Sequence, residues 1–180
     1  MHTSSLSSAP CLRYAAIRDS GGLAAALNNV SALFPGTTAV SLQGHSAGGA
    51  IATLMSFDLA RGVFPGLSLS TVTTFGSPRV GNEAFFEAYS AAVPINASQR
   101  VTHYHDMVPH VPQTLVSYHH VAREVYFDEP SAHYTLCDGS GEDSACSNSC
   151  SPLHCTSTED HLYYLNVSMG GKDKCVPQRR

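Results

Sequence analysis

Residues 41–55 read SLQGHSAGGAIATLM. A serine stands between two glycines, directly after a run that alternates like a strand and directly before a helix-like run. Gly44-His45-Ser46-Ala47-Gly48 fits the pattern G-x-S-x-G, in which a serine sits on a sharp strand-to-helix corner with its hydroxyl exposed. Glycines suit such a corner, because side chains there would strike the adjoining strand and helix, and the turn forces an unfavourable backbone conformation on the serine. A helix starting at the serine aims its free N–H groups and positive end at the hydroxyl, which favours a developing oxyanion. A plain tight turn would also use small residues, but the strand before and the helix after favour the nucleophile.

The surrounding chain supplies matching context. Residues 20–34 have helical spacing, with Ser20 as N-cap and Pro35-Gly36 as the stop. TAVSLQ (38–43) reads as a strand, residues 46–62 as a helix ending at Gly62, and LSTVTTFGS (69–77) as a β-branched strand. Residues 82–92 read as a helix capped by Asn82, RVTHYH (100–105) and REVYFD (123–128) as strands, and STEDHLYYL (157–165) as a helix opened by Ser157. The polar, cysteine-rich segment 129–156 reads as a stapled surface loop. Strands alternating with helices imply an α/β protein with a mostly parallel sheet.

An elbow serine needs a base and a carboxylate in the chain order Ser, Asp/Glu, His. Asp106 stands out because it follows the strand RVTHYH. The carboxyl end of a parallel strand lies on the rim where open α/β sheets build their sites. Candidate bases beyond it are His110, His119, His120, His133, His154 and His161, and His161 sits at a loop-to-helix junction after the last strand. His103, His105, His110, His119 and His120 also invite a metal reading, but no H-E-x-x-H or C-x-x-C spacing accompanies them. Buried, hydrogen-bonded histidines are the better expectation, with no metal.

The 180 residues are 43% hydrophobic and 13% charged, a globular composition, with a formal net charge of −4. That balance offers no basic footprint for nucleic acid, and no apolar run approaches the ~20 residues of a transmembrane helix. Five of six cysteines fall after residue 136, and Asn-x-Ser sequons occur at Asn29, Asn96 and Asn166. Together they suggest a secretory, oxidising compartment. The N-terminus lacks the apolar core of a signal peptide; both features fit a chain that begins downstream of its natural start.

VSLQGHSAGGAIATL, VTTFGSPRVGNEAFFEAY, RVTHYHDMVPHVP, YHHVAREVYF and STEDHLYYL follow one another as the blocks do in the class 3, fungal-type lipases, which the chain resembles from about residue 20 to 166. The resemblance implies an α/β-hydrolase fold with Ser46 as nucleophile, Asp106 as the acid orienting the base, His161 as the base, and no cofactor. Residues 1–19 are left unassigned and 167–180 form a C-terminal tail. Ala47 replaces the leucine usual in these lipases, but its backbone N–H can still donate to an oxyanion. The family's earlier strands, which carry the second oxyanion donor, have no counterpart before residue 20. The strand at 38–43 is therefore expected at an open edge, with apolar helix faces beside it. The resemblance further implies a disulfide between Cys137 and Cys146, enclosing DGSGEDSA. Cys150 and Cys155 can close a second loop, and Cys11 is the candidate left for Cys175. The implied activity is hydrolysis of an ester or lipid substrate by a secreted protein, at a lipid–water interface. A short-chain or phenolic-acid esterase and a non-catalytic interaction protein of the same fold are the alternatives.

Overall fold

Four parallel strands and one antiparallel strand carry the site. The computed structural model describes residues 8–121, 123–151 and 153–170. In chain order the elements are α1 (Ser8–Asp19), α2 (Gly22–Leu33), β1 (Ala39–His45), α3 (Ala47–Ala60), β2 (Ser68–Phe75), β3 (Gly81–Asn82), α4 (Glu83–Ala92), β4 (Ser98–His103), β5 (Tyr118–His119), β6 (Arg123–Phe127), β7 (Tyr134–Leu136), α5 (Thr158–His161), β8 (Tyr163–Tyr164) and β9 (Val167–Ser168). The main sheet runs β1-β2-β4-β6-β7, parallel as far as β6 and antiparallel at β7. Short antiparallel pairs β3–β5 and β8–β9 lie outside it.

Side-chain pattern explains the packing. α3 is apolar on most of its circumference, packs against β1 and β2, and buries Ala50, Ala52, Leu54 and Leu59. Ala50 and Leu54 join Tyr14 of α1 and Phe85 and Tyr89 of α4 in one core. Tyr89 buries its hydroxyl against the Ser56 and Ser98 hydroxyls, both at 2.9 Å, so the phenol leaves no polar atom unsatisfied. α4 begins where Asn82 Oδ1 accepts the Phe85 N–H at 3.1 Å, the cap expected from sequence.

Three local readings are corrected. The helix predicted over 20–34 starts at Gly22. Ser20 closes α1 instead, donating its hydroxyl to the Ile17 carbonyl, and Gly21 at φ +74° separates the two helices. The helix predicted over 157–165 is the single turn α5, followed by a β8–β9 hairpin. Leu165 and Asn166, both at positive φ, form its two-residue turn, a conformation that matches the twist of paired strands. Within the predicted loop 129–156, Tyr134–Leu136 form the edge strand β7.

Among the described residues β1 pairs only with β2, and α2 buries none of its residues, as expected for an open edge. Disulfides join Cys137 to Cys146 and Cys150 to Cys155, as expected, while Cys11 has no disulfide partner among the described residues. The proposed partner for Cys11, Cys175, lies outside the described residues.

Candidate active site

Ser46 stands between the last residue of β1 and the first of α3, at φ 57° and ψ −129°. A non-glycine residue in that region costs about 1–3 kcal/mol and is held only by its surroundings. Two contacts hold it. The Ser46 N–H donates to the Phe75 carbonyl at 2.9 Å, extending the β1–β2 ladder, and the Ser46 carbonyl accepts the Gly49 N–H at 2.9 Å. A Cβ on Gly44 would lie 2.3 Å from the Gly48 carbonyl oxygen, so the first glycine of the motif is a steric necessity. The second is not: a Cβ on Gly48 meets nothing within 4 Å. Its neighbour Gly49 makes the close approach instead, where a Cβ would stand 2.8 Å from Ser77 Cβ. The pattern reading placed the constraint one residue early.

The structure brings Ser46, Asp106 and His161 together. Asp106 follows β4 and is buried; His161 ends α5 and is mostly covered. The His161 Nδ1–H donates to Asp106 Oδ2 at 3.0 Å, which leaves Nε2 to accept the Ser46 hydroxyl at 2.9 Å. Asp106 is itself fixed. Its Oδ1 accepts the Val108 N–H at 2.8 Å, and its Oδ2 also accepts the Tyr164 hydroxyl. Burial, then the Asp106 charge, pushes the Tyr164 phenol well above its ordinary range, so it stays a donor.

The segments that carry Asp106 and His161 are also joined through their backbones. Asp106 and Ser157 form a parallel bridge in which Ser157 N–H donates to the His105 carbonyl and Met107 N–H to the Ser157 carbonyl. Ser157 then caps α5 by accepting the Asp160 N–H at 3.0 Å, one residue before His161. Ala47 opens α3, and the first N–H groups of a helix have no partner within it.

Three contributors were missed. His45, inside the motif, donates Nε2–H to the His161 carbonyl at 2.7 Å, with ring centroids 4.6 Å apart. Burial lowers its pKa, which keeps it neutral. Tyr164 braces Asp106 from three residues beyond His161, and nothing in local spacing marks it. Gly76, at φ +54°, lies under the pair: a Cβ there would come 2.6 Å from Asp106 Oδ2 and 3.0 Å from His161 Nδ1. A glycine directly after a strand signals such a close approach.

Of the other candidate bases, His133 and His154 lie at the surface, against Asp128 and Ser151. His120 sets Nε2 2.7 Å from the Pro109 carbonyl, and His105 stacks on Tyr104. Among the described residues two clusters have side-chain atoms close enough to share a metal, His105 with Cys150 and Cys155, and Glu124 with Cys137 and Cys146. In both, the sulfurs are already joined in disulfides and are not thiolates.

A mostly parallel sheet, a strained serine between β1 and α3, and a Ser–Asp–His order define an α/β-hydrolase. Its family is shown by sequence: residues 14–116 match the family model described as lipase (class 3), and the chain belongs to that family. It is 36% identical over 137 residues to a lipase of Rhizopus oryzae, covering 74% of this chain and 33% of that protein. It is 40% identical over 85 residues to the secreted mono- and diacylglycerol lipase 1 of Fusarium solani, covering 47% of this chain and 24% of that one. The solved triacylglyceride lipase of Rhizomucor miehei superposes with a TM-score of 0.80 at 28% identity, over 94% of this chain and 62% of that one. A triacylglycerol lipase whose catalytic centre is described as a serine protease triad matches equally, at 0.80 and 29%, over 94% and 62%. The chain thus spans about a third of the length of curated relatives such as the Rhizopus protein.

Proposed function

We propose that this site hydrolyses carboxylic esters of acylglycerols. The observation that carries the reading is the continuous line from Asp106 Oδ2 through His161 to Ser46 Oγ, with contacts of 3.0 and 2.9 Å, ending on a strained serine at a helix start. Ser46 Oγ attacks the ester carbonyl carbon while His161 Nε2 takes its proton. The oxyanion forms against the Ala47 N–H and the positive end of α3. As the intermediate collapses, His161 returns the proton to the departing alcohol. Water, deprotonated by the same nitrogen, then releases the acid and regenerates Ser46. Asp106 holds the imidazole tautomer throughout, and the cycle consumes only ester and water.

Acylglycerol as substrate rests on the relatives' names. It is supported by exposed Met107 and Leu162, which directly follow Asp106 and His161 in the chain and suit an oil–water interface. Release from the cell is supported by the two disulfides. No helix among the described residues is long and apolar enough to cross a membrane.

The test is turnover of a soluble p-nitrophenyl ester and of a long-chain triacylglycerol emulsion, alongside labelling by a fluorophosphonate. Ser46→Ala should abolish turnover and labelling, and Asp106→Asn should reduce turnover about 10⁴-fold. Ordinary turnover by Ser46→Ala would refute the assignment. Turnover of the soluble ester alone would narrow the substrate to short-chain esters.

A further inference from the structure

His161 is carried on a helix of four residues. One turn has no stability of its own, because nucleating a helix is unfavourable. Its final carbonyls also lack partners beyond the following N–H groups. The position of the imidazole therefore depends on ties from elsewhere. Two consecutive carbonyls of this turn face histidines from two different strands. His45, ending β1, takes the carbonyl of His161. His103, ending β4, sets Nδ1 3.1 Å from the carbonyl of Asp160.

His103 does more than touch the turn. Its Nε2 lies 2.9 Å from the Glu129 carbonyl, at the start of the segment that leads through both disulfides. Its ring meets Tyr164 edge-on, with centroids 5.6 Å apart, and Tyr164 holds Asp106. The side chain is 3% exposed, and no step of ester hydrolysis uses it. Both of its partners are carbonyls, which can only accept. An apolar ring of the same size would fill the space and tie neither.

We propose that His103 is a positioning residue for the base: its Nδ1–H, donated to the Asp160 carbonyl, pins the one-turn helix so that His161 Nε2 stays within reach of Ser46 Oγ. The proposal rests on the reading of Ser46, Asp106 and His161 as a triad. A cavity of about 410 Å³, lined by His103, Glu129, Glu159, Asp160 and Tyr163 among others, opens beside the ring. Small molecules can therefore reach the position once the side chain is cut back.

The experiment compares His103→Phe and His103→Ala with the wild type, and with Tyr89→Phe as a buried substitution away from the site. Turnover of a soluble ester is expressed per active site titrated with fluorophosphonate, so loss of folded protein does not count. His103→Phe should lower kcat about 10–100-fold, the size expected for a misplaced catalytic group, with KM within twofold. His103→Ala should fall likewise and recover at least fivefold with added imidazole, whereas Tyr89→Phe keeps its kcat per site. The downfield proton resonance of His161 Nδ1–H, bonded to Asp106, should shift or broaden in His103→Phe; this readout needs no substrate. An unchanged kcat per site in His103→Phe, or no rescue of His103→Ala by imidazole, overturns the proposal. If His103→Ala does not fold, His103→Phe decides. If the wild type turns over no ester, the triad reading fails. The resonance then decides this proposal: an unperturbed signal in His103→Phe overturns it and a perturbed one supports it.

Discussion

The two sides of the sheet are fastened by different chemistry. On the side of β6 and β7, charge is buried and paired. Arg79 makes two 2.7 Å bonds to Glu142 and a third to the Pro112 carbonyl, while Arg100 meets Glu124, which also accepts the Thr102 hydroxyl and the Ser147 N–H. These groups tie the loop after Asp106, and the disulfide segment leading to His161, onto the strands. On the side of β1, no Asp, Glu, Lys or Arg occurs from residue 20 to residue 57. There β1 leaves one edge open among the described residues, and α2 shows Val30 and Leu33 to solvent, 51% and 73% exposed. Asp106 and His161 are thus held by polar ties that fix direction. Ser46 hangs from a strand that, among the described residues, is held by backbone on one side. Edge strands are usually guarded by charge or proline, and this one has neither.

The contrast can be broken most severely at Arg79. Its replacement by alanine leaves Glu142 buried without its partner, and breaking such a pair costs about 3–5 kcal/mol. Urea unfolding of Arg79→Ala measures the loss; a change below 1 kcal/mol would mean the network carries little.

Acid should act on the same side. Burial works to raise the Glu142 pKa, but the Arg79 hydrogen bonds and charge outweigh it and hold it down to about 2. The unfolded chain therefore binds this proton first. The stabilisation is complete above the ordinary value of 4.5 and is lost as pH falls from there towards 2, a change of about 3 kcal/mol. His120 adds an earlier phase. Burial, then Arg100 and Arg79, pushes it well below 6.5, so only the unfolded chain gains its proton as pH drops below that value. Urea midpoints against pH should decline below about 6.5 and steepen below 4.5. Glu142→Gln should flatten the lower part, and an unchanged slope there would remove Glu142 from the account.

A smaller effect is expected from Cys137→Ser with Cys146→Ser. The bond closes a loop of sequence separation 9, worth about 2–3 kcal/mol in chain entropy. Thermal melting of the double variant checks it, and an unshifted melt would place the fastening in the ion pairs alone. The smallest stability change belongs to the β1 side. Val30→Lys and Leu33→Glu should shift stability by less than about 0.5 kcal/mol, yet reduce self-association in sedimentation. If either instead destabilised the fold strongly, α2 would be packed in solution and the contrast would fail.

The elbow could be read from sequence because its causes are local: a strand, a helix and a glycine that must lack a side chain at residue 44. Asp106 was legible because it comes shortly after a strand, and His161 because it stands in a block shared with a family. The braces were not. Tyr164 reaches Asp106 from the short strand β8 that follows α5, and a helical pattern over 157–165 conceals that strand. His45 reads only as the variable residue of the elbow and His103 only as a residue within the strand 100–105, since their carbonyl partners lie far along the chain. α1 carries weak patterning and is defined by contact, through the Tyr14 hydroxyl on Asp58 at 2.7 Å.

The backbone bridge between Asp106 and Ser157 works as a clasp that closes a long excursion of chain. Once it is shut, the distance between acid and base no longer depends on how far the chain wanders between them. The exposed stretches of that excursion, such as Thr114–Val116 and the turn before β7, can lengthen, shorten or change character while the imidazole stays where it is. Geometry and surface are insulated from each other. A lineage can therefore rewrite those surface stretches without disturbing the contact between Asp106 and His161.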